Sequence, residues 1–363
     1  MRKVALCAAG LVLMGVAAGR HITDGDDFRQ FYRAAALAAT HQSVFLHPSF
    51  SPAVNADADF LPYYRIPSYA LALRPLAALP YRYARIAWLG GILLAFGGCV
   101  WLYPMRRDRL ALALAFSFPA AVAFRLGQDI GLLLLIALTA AHIYSRNREF
   151  ASGLIASLLA IKLSCVPAVG LVFLAKSHRG SLGMATGLAV QFLISLAWEG
   201  VGWPRQYLGL LGSSALRFDP RRMPNVRSLA VALGLPDFVW TAAGLILLAG
   251  LFMASRRLRF SDAVILALPL GVIASPYCFL YDAVALVPLL VTAASAEALV
   301  VGAALTPLPY LLMMSENPTF GPAGGLIVVA STLCAAVRFY RLRAPAGADF
   351  TTGLPATSPA PAV

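Results

Sequence analysis

Five short basic clusters stand between long stretches with almost no charge: Arg106/Arg107/Arg109, Arg146/Arg148, Lys176/Arg179, Arg256/Arg257/Arg259 and Arg338/Arg341/Arg343. A single apolar run near 20 residues matches the ~30 Å hydrocarbon core of a bilayer, and a whole series of them leaves a soluble fold nothing to bury them in. The alternation therefore predicts an all-α polytopic membrane protein. Composition agrees, with 60% hydrophobic and only 12% charged residues, where a soluble domain carries roughly a quarter charged. The net charge of +13 is dispersed among the loops. That is the distribution of cytoplasmic connections, and it excludes a nucleic-acid binder.

Spans are expected near 4–20, 84–104, 109–125, 129–145, 150–163, 165–176, 181–198, 237–255, 261–275, 279–296, 298–314 and 321–339, about 10–12 membrane helices in one domain over 1–343. The positive-inside rule puts the five clusters and both termini in the cytoplasm of an inner or plasma membrane. The count closes only if 150–176 is a hairpin of two helices, each too short to cross alone, with Pro167 just past the bend. The opening "MRKVALCAAGLVLMGVAAGR" fits a cleavable signal or a first membrane helix; the topology favours the uncleaved helix. The tail 344–363, rich in Pro, Ala, Ser and Thr, is expected to be disordered.

With that topology the polar residues sort to the side opposite the basic clusters, in loops 21–83 and 199–236 and at the tips between spans. Asp24, Asp26, Asp27, Gln128, Asp129, Lys162, Tyr281 and Asp282 fall there, as do Arg205, Arg217, Arg221, Arg222 and Arg227. Cations on the translocated side need a local reason. A phosphate-bearing ligand supplies one, and anionic headgroups supply another. Cys7, Cys99, Cys165, Cys278 and Cys334 are scattered singly, and His21, His41 and His47 have no ligand spacing. No obligatory metal or other cofactor is expected.

Several stretches then become familiar in order: "DDFRQFYRAA", "LPYYRIPSYALALRPLAALP", "GQDIGLLLL", "LLAIKLSCVP", "RRMPNVRSLAVALG" and "ASPYCFLYDAVALVPLL". Together, over residues 24 to about 295, they resemble glycosyltransferase family 87, mannosyl- and arabinosyltransferase-like membrane proteins of the C-type glycosyltransferase class. Asp129 stands where that family usually has asparagine, Lys162 lacks the proline that usually follows, and Tyr281-Asp282 stands where other branches carry histidine. The resemblance implies the C-type fold with an active site on the periplasmic face. It also implies a polyprenyl-phosphate sugar donor, a glycan or glycolipid acceptor, and surrounding membrane lipids as partners.

Such a reaction needs one carboxylate to take the acceptor's proton and cations to hold the departing phosphate. Asp27 occupies the family's Asp-Phe position and is the expected base, while Asp24 and Asp26 fit helix caps. Lys162, Arg221, Arg222 and Arg65 are the expected phosphate ligands; snorkelling is the other reading of Lys162. Tyr64, Gln128, Asp129, Tyr281 and Asp282 are the expected sugar or acceptor contacts. Asp129 fits a helix cap equally well, Asp282 a structural ion pair, and Tyr63, Tyr64 and Tyr69 interfacial anchors. A lipid or solute transporter, or a scaffold of envelope-glycan assembly, is the alternative.

Overall fold

A computed structural model describes residues 27–45, 63–211, 219–293, 304–315 and 320–345. The expected first span, Asp24, Asp26, Arg217 and all but the start of the tail lie outside them. Among the described residues the regular structure is entirely helical. The main elements are α1 (Phe28–Ala39), α2 (Tyr81–Leu102), α3 (Arg107–Phe116), α4 (Phe118–Leu126), α5 (Ile130–Tyr144), α6 (Glu149–Ser157) and α7 (Val166–Lys176). There follow α8 (His178–Glu199), α9 (Trp203–Leu211), α10 (Asp237–Arg257), α11 (Phe260–Ala274), α12 (Val287–Ala293) and α13 (Phe320–Arg343). α2, α8, α10 and α13 are each long and apolar enough to cross a membrane.

The stretch 149–176 would also qualify by length, as 28 residues of high hydropathy. A straight helix of that length would hold its ends about 40 Å apart. Instead Ser177 Oγ donates to Glu149 Oε2 at 2.5 Å, and Tyr144 Oη donates to the Lys176 carbonyl at 3.4 Å. The chain therefore turns back, as the hairpin expectation required. A 3₁₀ segment, Leu158–Cys165, makes the tip, and Lys162 leaves helical geometry there (φ −126°, ψ 95°). α6 and α8 consequently run parallel. A Cβ on Gly153 would stand 2.0 Å from the Gly180 carbonyl, and one on Gly183 would stand 2.1 Å from that of Phe150. Small residues let the two backbones touch, the usual device for helices that gain nothing from hiding apolar surface in lipid.

α3 and α4 form a broken span, bent by 65°. Ser117 is extended at the break and its Oγ accepts from Ala120 N, while Pro119 enters the first turn of α4. The amide of Phe118, freed from its helix, donates to the Leu305 carbonyl at 2.9 Å. In an apolar interior such a group must find a partner.

Contacts tie the basic clusters to one end of the bundle. Tyr144 stacks on Phe260 at 3.7 Å between centroids, and Lys176 Nζ donates to the Arg256 carbonyl. Tyr103 Oη donates to the Pro288 carbonyl, Arg343 touches Met105, and Asp262 lies in the field of both Arg343 and Arg259. From this shared end the helices rise to different heights. α10 has 21 residues and spans about 31 Å; α5 and α11, with 15 each, span about 22 Å. Gly244, two turns in from the start of α10, packs against the Ala274 carbonyl at the end of α11. The far end of α11 is thus sunk about 10 Å below that of its long neighbour.

Candidate functional site

The charges gather at the start of α5, at the hairpin tip and in the segment that follows α11. α4 stops at Gly127, which is left-handed (φ 68°), and its carbonyl accepts Trp88 Nε1–H at 2.7 Å. A Cβ there would meet Phe28 Cβ at 2.8 Å, so the turn is pressed directly onto the start of α1. α1 is held in turn by its apolar stripe of Phe28, Phe31, Ala34, Ala35 and Ala38. Phe28 stacks on Trp88 at 5.7 Å, and Phe31 meets Tyr69 edge-on at 5.9 Å. Two neighbours are brought together by this packing: Gln128 Nε2 donates to Asp27 Oδ2 at 2.5 Å.

Asp129 begins α5, but its side chain does not cap it. Both carboxylate oxygens instead accept from Arg65, from Nε and Nη2, each at 2.9 Å. The guanidinium also lies 5.4 Å from the Phe31 ring centre. Asp282 likewise adopts the ion-paired arrangement: Oδ1 accepts from Lys162 Nζ, and Oδ2 accepts the Phe279 amide at 2.8 Å. The Lys162 ammonium lies 5.1 Å from the Tyr281 ring centre. Its side chain is only 11% exposed, so the lysine turns inward rather than snorkelling.

Electrostatic range ties the two pairs and Asp27 into one cluster. Tyr281 lies in the fields of Asp27, Asp282, Arg65 and Asp129. Cys165, just past the hairpin tip, lies in those of Lys162, Asp282 and Asp129. The Tyr64 phenol, in the loop before Arg65, is pushed well above its ordinary pKa by burial and then by the Asp27 charge, with Arg65 opposing both. It stays protonated and able to donate across the working pH range. Asp27 and Tyr64 are half-buried at the rim, whereas Asp129 and Asp282 are each 1% exposed at the floor.

Arg221 and Arg222 stay outside this cluster. They are exposed on a short 3₁₀ turn; Asp219 accepts the Arg221 amide, and its carboxylate lies 3.9 Å from Arg222 Nε. Their segment is nonetheless anchored to the loop that leads to Asp282, through Asn225 Nδ2 on the Ser275 carbonyl and Arg227 Nη1 on that of Pro276. They flank the site rather than line its floor. Trp88 and Phe31, which fix the positions of Gln128 and Arg65, carry no chemical signal that sequence reading could have used.

Beside the hairpin tip lies an apolar cavity of about 430 Å³, lined by Ile66, Ala160, Leu163, Leu188, Phe192 and Trp203 among others. Two polar residues on its wall are already engaged: Gln191 Nε2 donates to the Ser157 carbonyl, and Ser195 Oγ donates to that of Gln191 and accepts from Ser68 N. Trp203 Nε1 is buried there with no hydrogen-bond partner among the described residues, and the rest of the wall is apolar, which suits a hydrocarbon chain better than a sugar. Arg65 and Lys162 adjoin its lining residues along the chain. Among the described residues no group of three or more His, Cys, Asp or Glu is arranged to hold a metal ion.

The family model for glycosyltransferase family 87 matches residues 66–281, more than half of the 363-residue chain. The matched segment contains Gln128, Asp129, Lys162, Arg221, Arg222 and Tyr281 and leaves Asp27, Tyr64, Arg65 and Asp282 outside it. No curated protein and no solved structure matches the chain significantly.

Proposed function

The chain belongs to glycosyltransferase family 87, and from that premise we propose that it transfers a hexose or pentose, with mannose the first candidate, from a polyprenyl-phosphate donor to an envelope glycan or glycolipid. The membrane helices and the family give a membrane glycosyltransferase; donor, face and residue roles are our reading. The acceptor hydroxyl attacks the anomeric carbon and its proton passes to Asp27. The bond from that carbon to the phosphate oxygen breaks, and the lipid phosphate leaves with both electrons. One displacement inverts the anomeric centre and needs a single base.

The observation that carries this reading is the placement of Asp27. It is the half-buried carboxylate at the rim, while Asp129 and Asp282 are buried and hold cations. Lys162 and Arg65 face the departing phosphate. An ammonium has three donors and a guanidinium five, so contacts to Asp282 and Asp129 leave donors for a ligand. Arg221 and Arg222 draw the anion in from the rim, and the apolar cavity takes the start of the prenyl chain. Tyr64, Tyr281, Gln128, Asp129 and Asp282 shape the sugar pocket, directly or by holding its walls, and no metal takes part.

Radiolabelled transfer from polyprenyl-phosphate mannose in nanodiscs tests the proposal. Asp27→Asn should insert normally and transfer ~10²-fold more slowly or worse, and a chelator should leave the wild-type rate unchanged. Near-normal transfer by Asp27→Asn would remove Asp27 from the role of base.

A further inference from the structure

Gln128 does not sit as a sugar contact would. It is 1% exposed, its amide nitrogen is on Asp27, and its Oε1 is buried with no hydrogen-bond partner among the described residues. An acceptor left unmade in a buried site is costly and calls for an explanation. The explanation lies in what the neighbouring carboxyl does. Ionised, Asp27 accepts only, and suits the NH₂ end of an amide; protonated, it carries an O–H that suits the oxygen end. Glutamine carries both ends on one terminal torsion, which is broad and roughly two-fold, so they can exchange without backbone movement.

Resting on the assignment of Asp27 as base, we propose that Gln128 is its positioning residue and matches both of its protonation states. Before transfer the Gln128 NH₂ donates to the Asp27 carboxylate, orients it and favours the ionised form. When the acceptor's proton reaches Asp27 and the glycosidic bond forms, the amide turns and Oε1 accepts the new carboxylic O–H. The proton later returns to solvent and the amide turns back. The turn at Gly127, clamped by Trp88 and Phe28, holds the Gln128 backbone still while this happens. Among the described residues, the groups bearing on Asp27 include the Tyr64 and Tyr281 phenols, with Arg65, Asp129 and the Lys162–Asp282 pair behind them. Arg29 lies on its own helix, and Arg85 and Arg125 on the two helices behind Gln128.

The test is the pH dependence of kcat/KM for transfer in nanodiscs. Gln128→Met keeps the length and removes both hydrogen-bonding ends. It withdraws a donor from the charged form, so the Asp27 pKa rises and the acid limb should move up by about one pH unit. The rate should fall in kcat with both KM values held within about two-fold. Gln128→Glu, placing a like charge beside Asp27, should move the limb further in the same direction, and serves alone if the methionine variant does not insert. A raised acceptor KM with an unmoved limb would make Gln128 a sugar contact and overturn the proposal; so would a wild-type profile. Asp27→Asn, run in parallel, separates the two failures. If it transfers normally, the base assignment falls and this inference with it. If it is inactive while Gln128→Met keeps the wild-type limb, only the positioning role falls.

Discussion

Lys162 and Asp282 are 120 residues apart in sequence, and Arg65 and Asp129 are 64 apart; both pairs are buried. Removing one partner of such a pair strands a charge in apolar surroundings, at about 3–5 kcal/mol, while replacing both by apolar residues is often near neutral. Lys162→Met should therefore lower denaturation resistance in detergent sharply, and Lys162→Met/Asp282→Leu should recover most of it while transfer stays abolished. Recovery of transfer by the double variant would show that Lys162 serves the fold alone. That these residues were candidates for function was legible in the sequence, because ionisable side chains among apolar spans are rare. An ion pair at Asp282 was among the readings the sequence offered, but the choice of Lys162 as its partner, and the pairing of Arg65 with Asp129, depend on which helix ends meet. The rim arginines show the same limit from the other side: Arg221 and Arg222 were visible as misplaced charge, but the turn that keeps them exposed is capped by Asp219 and fixed to Ser275 through Asn225.

The hairpin is the element on which the site depends. Its existence could be read from charge parity and from Pro167, but its height could not. That height follows from Gly153 and Gly183, which let α6 lie against α8 backbone to backbone. Gly153→Val should push the two helices apart, cost about 1–3 kcal/mol or more, and lift Lys162 off Asp282, with transfer lost. Gly170→Ala on α7 is the contrasting case: its Cβ would come no closer than 3.8 Å to Met184, so the change should be neutral or slightly stabilising in thermal unfolding. Equal damage from both variants would mean that helix contact is not what sets the hairpin.

Across the whole molecule the five basic clusters share one end and the candidate site lies toward the other. Cysteine labelling with an impermeant maleimide tests the orientation, against the reactivity of the native cysteines. Asn147→Cys, between two basic residues, should react only after the membrane is opened, and Arg222→Cys should react in intact right-side-out cells. Labelling of both from the same side would separate the site from the face proposed for it. The sequence by itself determined a helical membrane protein, the end at which its cations gather and the family it resembles, because hydropathy and loop charge act locally and can be read one span at a time. Tertiary structure decided that α5 and α11 stop short of their long neighbour, which carboxylates are neutralised beside their ends, and that Gln128 faces Asp27. Those outcomes depend on relative helix heights and on backbone contact between distant glycines, and neither is written in any single span.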